Sequence, residues 1–263
     1  MTPSPGDDSP RRYGSGQGDG ANSVLGKARL ILEAFGVDDV DLSLTEISRR
    51  TGISKASVYR LNQELLDWGM LERSGQEYRL GLRAFELGSR VPRIRVLRDG
   101  IRPYMESLYY SVKETVHLAV LDGLEVLYLE KVAGAPQATR PSRIAGRLPL
   151  HSTATGKVML AYGTGDLLEA VVARGLDRIT PATIVLPRML AQQLRRVRED
   201  GYAVEREETT TGYCSVAVPI FGASGLLLGS LSVTAPTFRA DVPRYAAALT
   251  AVSRKVSLDR SIN

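Results

Sequence analysis

The side chains that usually carry covalent or metal chemistry are few in this chain. One cysteine, Cys214, and two histidines, His117 and His151, are all that its 263 residues contain. A lone cysteine excludes an intramolecular disulfide framework and any zinc centre built on several thiolates. Two well-separated histidines exclude the paired-histidine helix of metalloproteases and a three-histidine zinc site. Ser152 and Ser215 are the candidates for a nucleophilic hydroxyl, yet no serine sits in a Gly-x-Ser-x-Gly elbow. Thr155-Gly156-Lys157 has the wrong glycine spacing for a phosphate loop, and Val158 stands where that loop needs a magnesium-binding hydroxyl. The chain is therefore expected to be no enzyme, with no metal and no cofactor. Binding chemistry remains.

Two features suit binding. Ser152 to Lys157 opens a helix after an extended approach, and the N–H groups and dipole of a helix start favour an anion such as a carboxylate. The second feature is a strand face. With a two-residue period, Ser215, Ala217 and Pro219 share one side, against Cys214, Val216, Val218 and Ile220 on the other. On the following strand Ser232 and Thr234 oppose Leu231 and Val233. Two readings fit the hydroxyl-bearing side: a ligand face with room and hydrogen-bond partners, or the solvent side of an antiparallel sheet. His117 in mid-strand and His151 beside Ser152 read as packing or hydrogen-bonded residues.

The elements that carry these residues follow from hydrophobic period. Strands are expected at 115–121 and 125–131, around the hairpin turn Asp122-Gly123. Others are expected at 202–208, 213–221 and 226–234. Helices are expected at 153–162, 166–174, 187–200 and 242–258, giving an α+β domain.

The first third of the chain differs. Residues 1–22 are almost devoid of apolar side chains and read as a flexible tail. A helix then carries Val24, Ala28, Ile31, Leu32 and Phe35 at helical spacing. Ser43-Leu44-Thr45-Glu46 reads as a capping box opening a short helix that stops at Thr51-Gly52. Ser54 caps a third helix with Val58, Leu61 and Leu65 facing inward, ended by Gly69. Two short strands, 70–73 and 77–80, then form a hairpin. Helix, short helix, turn, longer helix and hairpin make a winged helix-turn-helix, which reads the major groove of duplex DNA with its longer helix; the alternative reading is a protein-interaction unit in a ligand-sensing scaffold that does not bind DNA. Ser54, Lys55, Ser57, Tyr59, Arg60 and Asn62 (or Gln63) are the expected DNA contacts on that helix, with Arg73 and Arg79 on the hairpin. From Ile47 to Arg83 seven basic residues face four acidic ones. Arg90, Arg93, Arg95, Arg98 and Arg102 then line the linker, as DNA-flank contacts or as solvated helix surface.

The run SLTEISRRTGISKASVYRLNQELLDWGMLER, with YRLGLRAFELG after it, resembles the DNA-binding half of IclR-type bacterial transcriptional regulators. ETVHLAVLDGLEVLYLEKVAG, GRLPLHSTATGKVMLA, EETTTGYCSVAVPIF and GSLSVTAP resemble that family's effector-domain blocks, in the family's order. The resemblance implies a GAF-like C-terminal domain that binds a small organic or aromatic acid and modulates binding to a double-stranded DNA operator. It places the effector-binding positions on Ala154 and Thr155 at the helix start, Glu205, Ser215, Ser232 and Thr234. Ser215 stands where the family's strand cysteine falls, and Glu205 where aspartate is more usual. A homodimer or homotetramer is implied as well.

Four segments are expected: the tail 1–22, a winged domain 23–81, a linker helix 82–98, and an effector-binding and oligomerisation domain 99–263. No apolar run reaches the roughly 18–20 residues that span a bilayer, and Arg11-Arg12 is followed by no apolar segment. A reducing cytoplasm is the expected location. The overall charge of +5 permits an anionic partner without identifying one.

Overall fold

The structure, a computed structural model, describes residues 22–36, 38–134 and 144–259. Nearly all of the expected flexible tail lies outside them. The chain forms two compact units, one ending at Val91 and the other beginning at Pro92. The division falls inside the stretch 82–98.

The first unit contains α1 (Val24–Glu33), α2 (Leu44–Thr51), α3 (Lys55–Asp67), β1 (Leu71–Ser74), β2 (Glu77–Leu80) and α4 (Leu82–Ser89). Serines start the three helices: Ser23, Ser43 and Ser54 accept from the amides of Gly26, Glu46 and Ser57. Only half of the expected capping box forms. The Glu46 carboxylate turns to Arg49 and Arg50 instead, at 2.8 and 2.7 Å from their Nε atoms. Gly52 ends α2 with φ +71°, a left-handed conformation that costs glycine nothing, and thereby sets the angle at which α3 leaves. The core is Ile31, Leu42, Ile47, Ile53, Val58, Leu61, Leu65, Leu71 and Tyr78.

One assignment needs correcting. Asn62 is 0% exposed and lies on the inner side of α3 with Val58 and Leu65, so it is withdrawn as a DNA contact. It follows Val58 by four residues, which places it over the same helix face. Gln63 is half-buried.

The second unit contains α5 (Pro92–Val112), β3 (Thr115–Asp122), β4 (Glu125–Val132), β5 (Arg147–Pro149), α6 (Ala154–Tyr162) and α7 (Gly165–Arg174). There follow α8 (Pro187–Asp200), β6 (Ala203–Arg206), β7 (Tyr213–Phe221), β8 (Leu227–Pro236) and α9 (Val242–Leu258). The six strands form one sheet in the order β5-β4-β3-β8-β7-β6, antiparallel throughout. Its oily face, with Val116, Leu118, Val216, Val218, Leu231 and Val233, packs against α5 and α9. The other face carries smaller residues such as Ala119, Ala203 and Ala217, and is covered by α6, α7 and α8. Helices on both faces of a curled sheet give the GAF-like arrangement.

Truncating Ile47, wholly buried between α2 and α3, leaves a cavity in a small core. Ile47→Ala is expected to cost the first unit about 2–5 kcal/mol of stability. Urea denaturation followed by circular dichroism checks this.

Candidate functional site

The smaller-residue face of the sheet is not uniformly filled. The antiparallel register sets Thr115, Thr234, Ser215 and Glu205 side by side across β3, β8, β7 and β6. The adjacent row on the same face is His117, Ser232, Ala217 and Ala203. Small and hydroxyl side chains leave space above these rows, and the start of α6 closes it from the other side. The resulting cavity holds about 480 Å³ of free space, its open mouth included. Ala154, Thr155, Glu205, Ser215, Ser232 and Thr234 all line it. Sequence spacing missed Tyr128, Leu148, Thr209, Thr210 and Tyr213, which line it too; His117, expected as a packing or hydrogen-bonded residue, also lines it.

The start of α6 supplies the positive end. Thr153 caps the helix by accepting from the Gly156 amide at 3.1 Å, which leaves Ala154 and Thr155 as first-turn donors without intrahelical partners. Gly156 lets this happen: a Cβ there would lie 2.3 Å from the Leu150 carbonyl oxygen. The Tyr128 hydroxyl lies 3.2 Å from that of Thr155, and its ring meets His117 edge-on at 5.2 Å. Burial drives the Tyr128 phenol up to about 12, so it acts as a neutral hydrogen-bonding group.

Glu205 supplies the acidic end. Its residue is only 3% exposed, and Oε1 accepts from the amides of Glu208 at 2.6 Å and Thr209 at 3.1 Å. Burial pushes its carboxyl up to about 7, against the downward pull of the Thr209 amide, the Ser215 hydroxyl and the Glu208 amide. Glu207, at φ +59°, turns the chain so that these amides fold back. The same segment is pinned from outside. The Thr180 and Thr183 hydroxyls donate to the Glu207 and Glu208 carbonyls at 2.6 and 2.7 Å, and that of Thr209 donates to the Ser152 carbonyl at 2.7 Å.

Behind the helix start, Lys157 is 0% exposed and ion-paired with Glu208, itself buried. Burial holds the lysine below its usual range, opposed by the Glu208 charge. The pairing joins residues 51 apart, so no local pattern announces it. His151 does not share this cluster; its Nε2 lies 2.9 Å from the Asp177 carbonyl oxygen. Cys214 points to the opposite face and is buried. Among the described residues no cluster of His, Cys, Asp or Glu is arranged to hold a metal.

On the first unit, Ser54, Lys55, Tyr59 and Arg60 are exposed along the start and outer side of α3, with Ser57 half-buried beside Ser54. Lys55 and Arg60 pair with no carboxylate among the described residues. The other basic residues are more committed. Arg49 and Arg50 bind Glu46, Arg79 lies 3.3 Å from Glu72, and Arg83 pairs with Glu86. Arg73 stacks on the Tyr78 ring at 4.4 Å. In the second unit, Arg102 and Arg98 reach Glu130 at 3.3 and 4.0 Å, so those two arginines serve their own domain. No helix among the described residues is long and apolar enough to cross a membrane.

Removing one member of the buried pair strands the other. Lys157→Met or Glu208→Gln alone is expected to cost about 3–5 kcal/mol, and the double variant less than the sum. Chemical denaturation of the four proteins checks the cycle.

Comparisons agree with both halves. The profile described as bacterial transcriptional regulator IclR C-terminal matches residues 93–258, and the IclR helix-turn-helix domain matches residues 24–75. The chain is similar to the HTH-type transcriptional regulator KdgR of Escherichia coli (strain K12), 36% identical over 248 residues, 92% of this chain and 93% of that protein. It is also similar to the p-hydroxybenzoate hydroxylase transcriptional activator of Acinetobacter baylyi, 30% identical over 227 residues, 84% of this chain and 83% of that one. Among solved structures, an IclR homologue from Microbacterium hydrocarbonoxydans complexed with 4-hydroxybenzoate gives a TM-score of 0.84 at 30% identity. That likeness covers 90% of this chain and 98% of the other. The chain belongs to the IclR family of bacterial transcriptional regulators, which join a DNA-binding helix-turn-helix domain to a C-terminal effector-binding domain.

Proposed function

We propose that this regulator senses a small organic acid, with an aromatic acid as the first candidate, and that the acid changes its affinity for a DNA operator. The observation that carries this reading is the cavity itself. It joins the amides at the start of α6 to a row of hydroxyls ending at Glu205, under an aromatic wall of His117 and Tyr128. A carboxylate suits the helix start, a flat ring suits the aromatic wall, and the hydroxyl row suits a polar substituent. The complex of the Microbacterium homologue with 4-hydroxybenzoate supports the same class.

Ala154, Thr155, Glu205, Ser215, Ser232 and Thr234 are the proposed effector contacts. Ser54, Lys55, Ser57, Tyr59, Arg60, Arg73 and Arg79 are the proposed DNA contacts, with Lys55 and Arg60 carrying the most uncommitted charge. The winged unit corresponds to the stretch 23–81, followed by the linker 82–98 and the sensing domain from residue 99. Response requires the acid to bind one arrangement of the protein more tightly than another, which shifts the population. Reading two half-sites requires paired heads, so a homodimer or homotetramer is the working assembly. Exposed Val24 and Leu25 on α1, with Leu82 and Phe85 on α4, offer apolar surface for such pairing. The proposed setting is the cytoplasm.

A thermal-shift screen against small acids tests the sensing reading, because a ligand of the native state raises apparent stability. A binding acid should then change the retardation of DNA from upstream of the protein's own gene. Thr234→Leu fills the cavity and should lose at least tenfold in ligand affinity by calorimetry while still retarding DNA. Normal ligand binding in that variant would move the site elsewhere. Arg60→Ala should weaken operator binding by about 1–3 kcal/mol, roughly tenfold to a hundredfold; unchanged affinity in fluorescence anisotropy would remove Arg60 from the interface.

A further inference from the structure

The cavity contains a charge problem. An acid bound at the start of α6 brings a negative charge into a space that Glu205 already lines. The two are near neighbours in the fold: the Thr209 amide donates to Glu205, and the Thr209 hydroxyl donates to the carbonyl of Ser152, next to the helix start. The buried cation close by among the described residues, Lys157, is already paired with Glu208. Tyr128 and His117 are further titratable groups that line the same cavity. Tyr128, on β4, is a neutral phenol. His117 faces the cavity from β3, stacked edge-on against Tyr128. Cys214 turns to the far side of β7, and Arg206 follows it there, its Nη1 3.9 Å from the sulfur. Lys157 and Glu208 form a neutral pair, and the Glu208 charge itself adds to the upward push on Glu205. A carboxylate ligand and an ionised Glu205 would set two like charges in one desolvated site, and like charges that close raise the affinity of one acid for a proton.

We propose that Glu205 sets the charge state in which the cavity accepts its ligand: a carboxylate bound at the start of α6 enters together with one proton from solvent, held on the Glu205 carboxyl. This rests on the acid-sensing reading above and adds to it a stoichiometry. The ligand anion and one proton bind as a pair, so the site gains no net charge. Burial prepares Glu205 for the role by pushing its carboxyl up to about 7 in the closed surroundings of the cavity wall. A ligand anion raises it further. The hydroxyl row supports either state: Thr234 and Ser215 lie 3.0 Å apart oxygen to oxygen, and their hydrogens can rotate to donate towards a carboxylate or accept from a carboxylic acid.

The test has one arm without ligand and one with it. In the ligand-free arm, thermal midpoints of the full-length wild type and Glu205→Gln are compared between about pH 5 and 8. Glu205 favours the protonated folded state, so its contribution is fullest below the unfolded carboxylate value of about 4.5 and is lost as pH rises through about 7. The wild type should therefore fall by several degrees relative to Glu205→Gln across that range. Parallel curves would overturn the proton on Glu205, whatever any ligand does.

The second arm uses 4-hydroxybenzoate as the probe in titration calorimetry, in two buffers of different ionisation enthalpy, between about pH 5.5 and 8.5. The wild type should take up close to one proton per site at the alkaline end and almost none at the acid end. Its affinity should weaken about tenfold per pH unit above 7. Glu205→Gln, neutral at every pH, should show neither effect. Binding by the wild type with flat affinity and no proton uptake, or a variant that keeps the slope, would overturn the proposal. Absence of binding at every pH, together with an intact pH slope in the ligand-free arm, would reject this acid class while leaving the proton on Glu205 established.

Discussion

The second domain is organised around a lysine that has no access to water. Burying an ammonium group costs several kcal/mol unless a partner of opposite charge and good geometry comes with it, and Glu208 is that partner. The pairing fixes α6 to the segment after β6. That segment is then held on its remaining sides by hydroxyl groups of Thr180, Thr183 and Thr209. Because its amides also hold Glu205, the acidic wall and the helix-start wall of the cavity are parts of one braced assembly.

The cavity exists because that assembly stands off from the sheet where the sheet's side chains are small. On the opposite face Val216, Val218, Leu231 and Val233 pack under α5 and α9 in one hydrophobic core. On the cavity face serine and threonine occupy the corresponding rows, and Gly156 lets α6 begin close to the Leu150 backbone. One face of the same strands is a core and the other is the floor of a cavity, and the alternation of side chains along a strand separates the two.

In the first domain, net charge proves a poor guide to DNA binding. Most of the arginines around the helix-turn-helix are tied to neighbouring glutamates and serve the fold, so the seven basic residues counted there reduce to a small uncommitted set near the start of α3. Phosphate affinity depends on charges that remain available for counterion exchange, which makes Lys55 and Arg60 more informative than the sum.

Local chemistry was legible where it was strongest. Helices α8 and α9 run over the ranges that spacing predicts, 187–200 and 242–258, because proline in the first turn of each and Gly201 after α8 mark ends that need no tertiary help. The alternation on β7 and β8 was equally legible, since each strand dictates which side chains share a side. Asn62 shows the limit: its polarity suggested an exposed position, but four residues after Val58 the helix turns it inward. The sequence alone thus determined the elements, their faces and the absence of thiolate or multi-histidine chemistry. Only the tertiary structure decided whether the hydroxyl face meets water or a cavity, that Lys157 is buried, and that Glu205, Ser215 and Thr234 stand in one row with Thr115. Those outcomes depend on contacts between residues about 10 to 120 positions apart, and periodicity, which acts over one or two turns, carries no record of them.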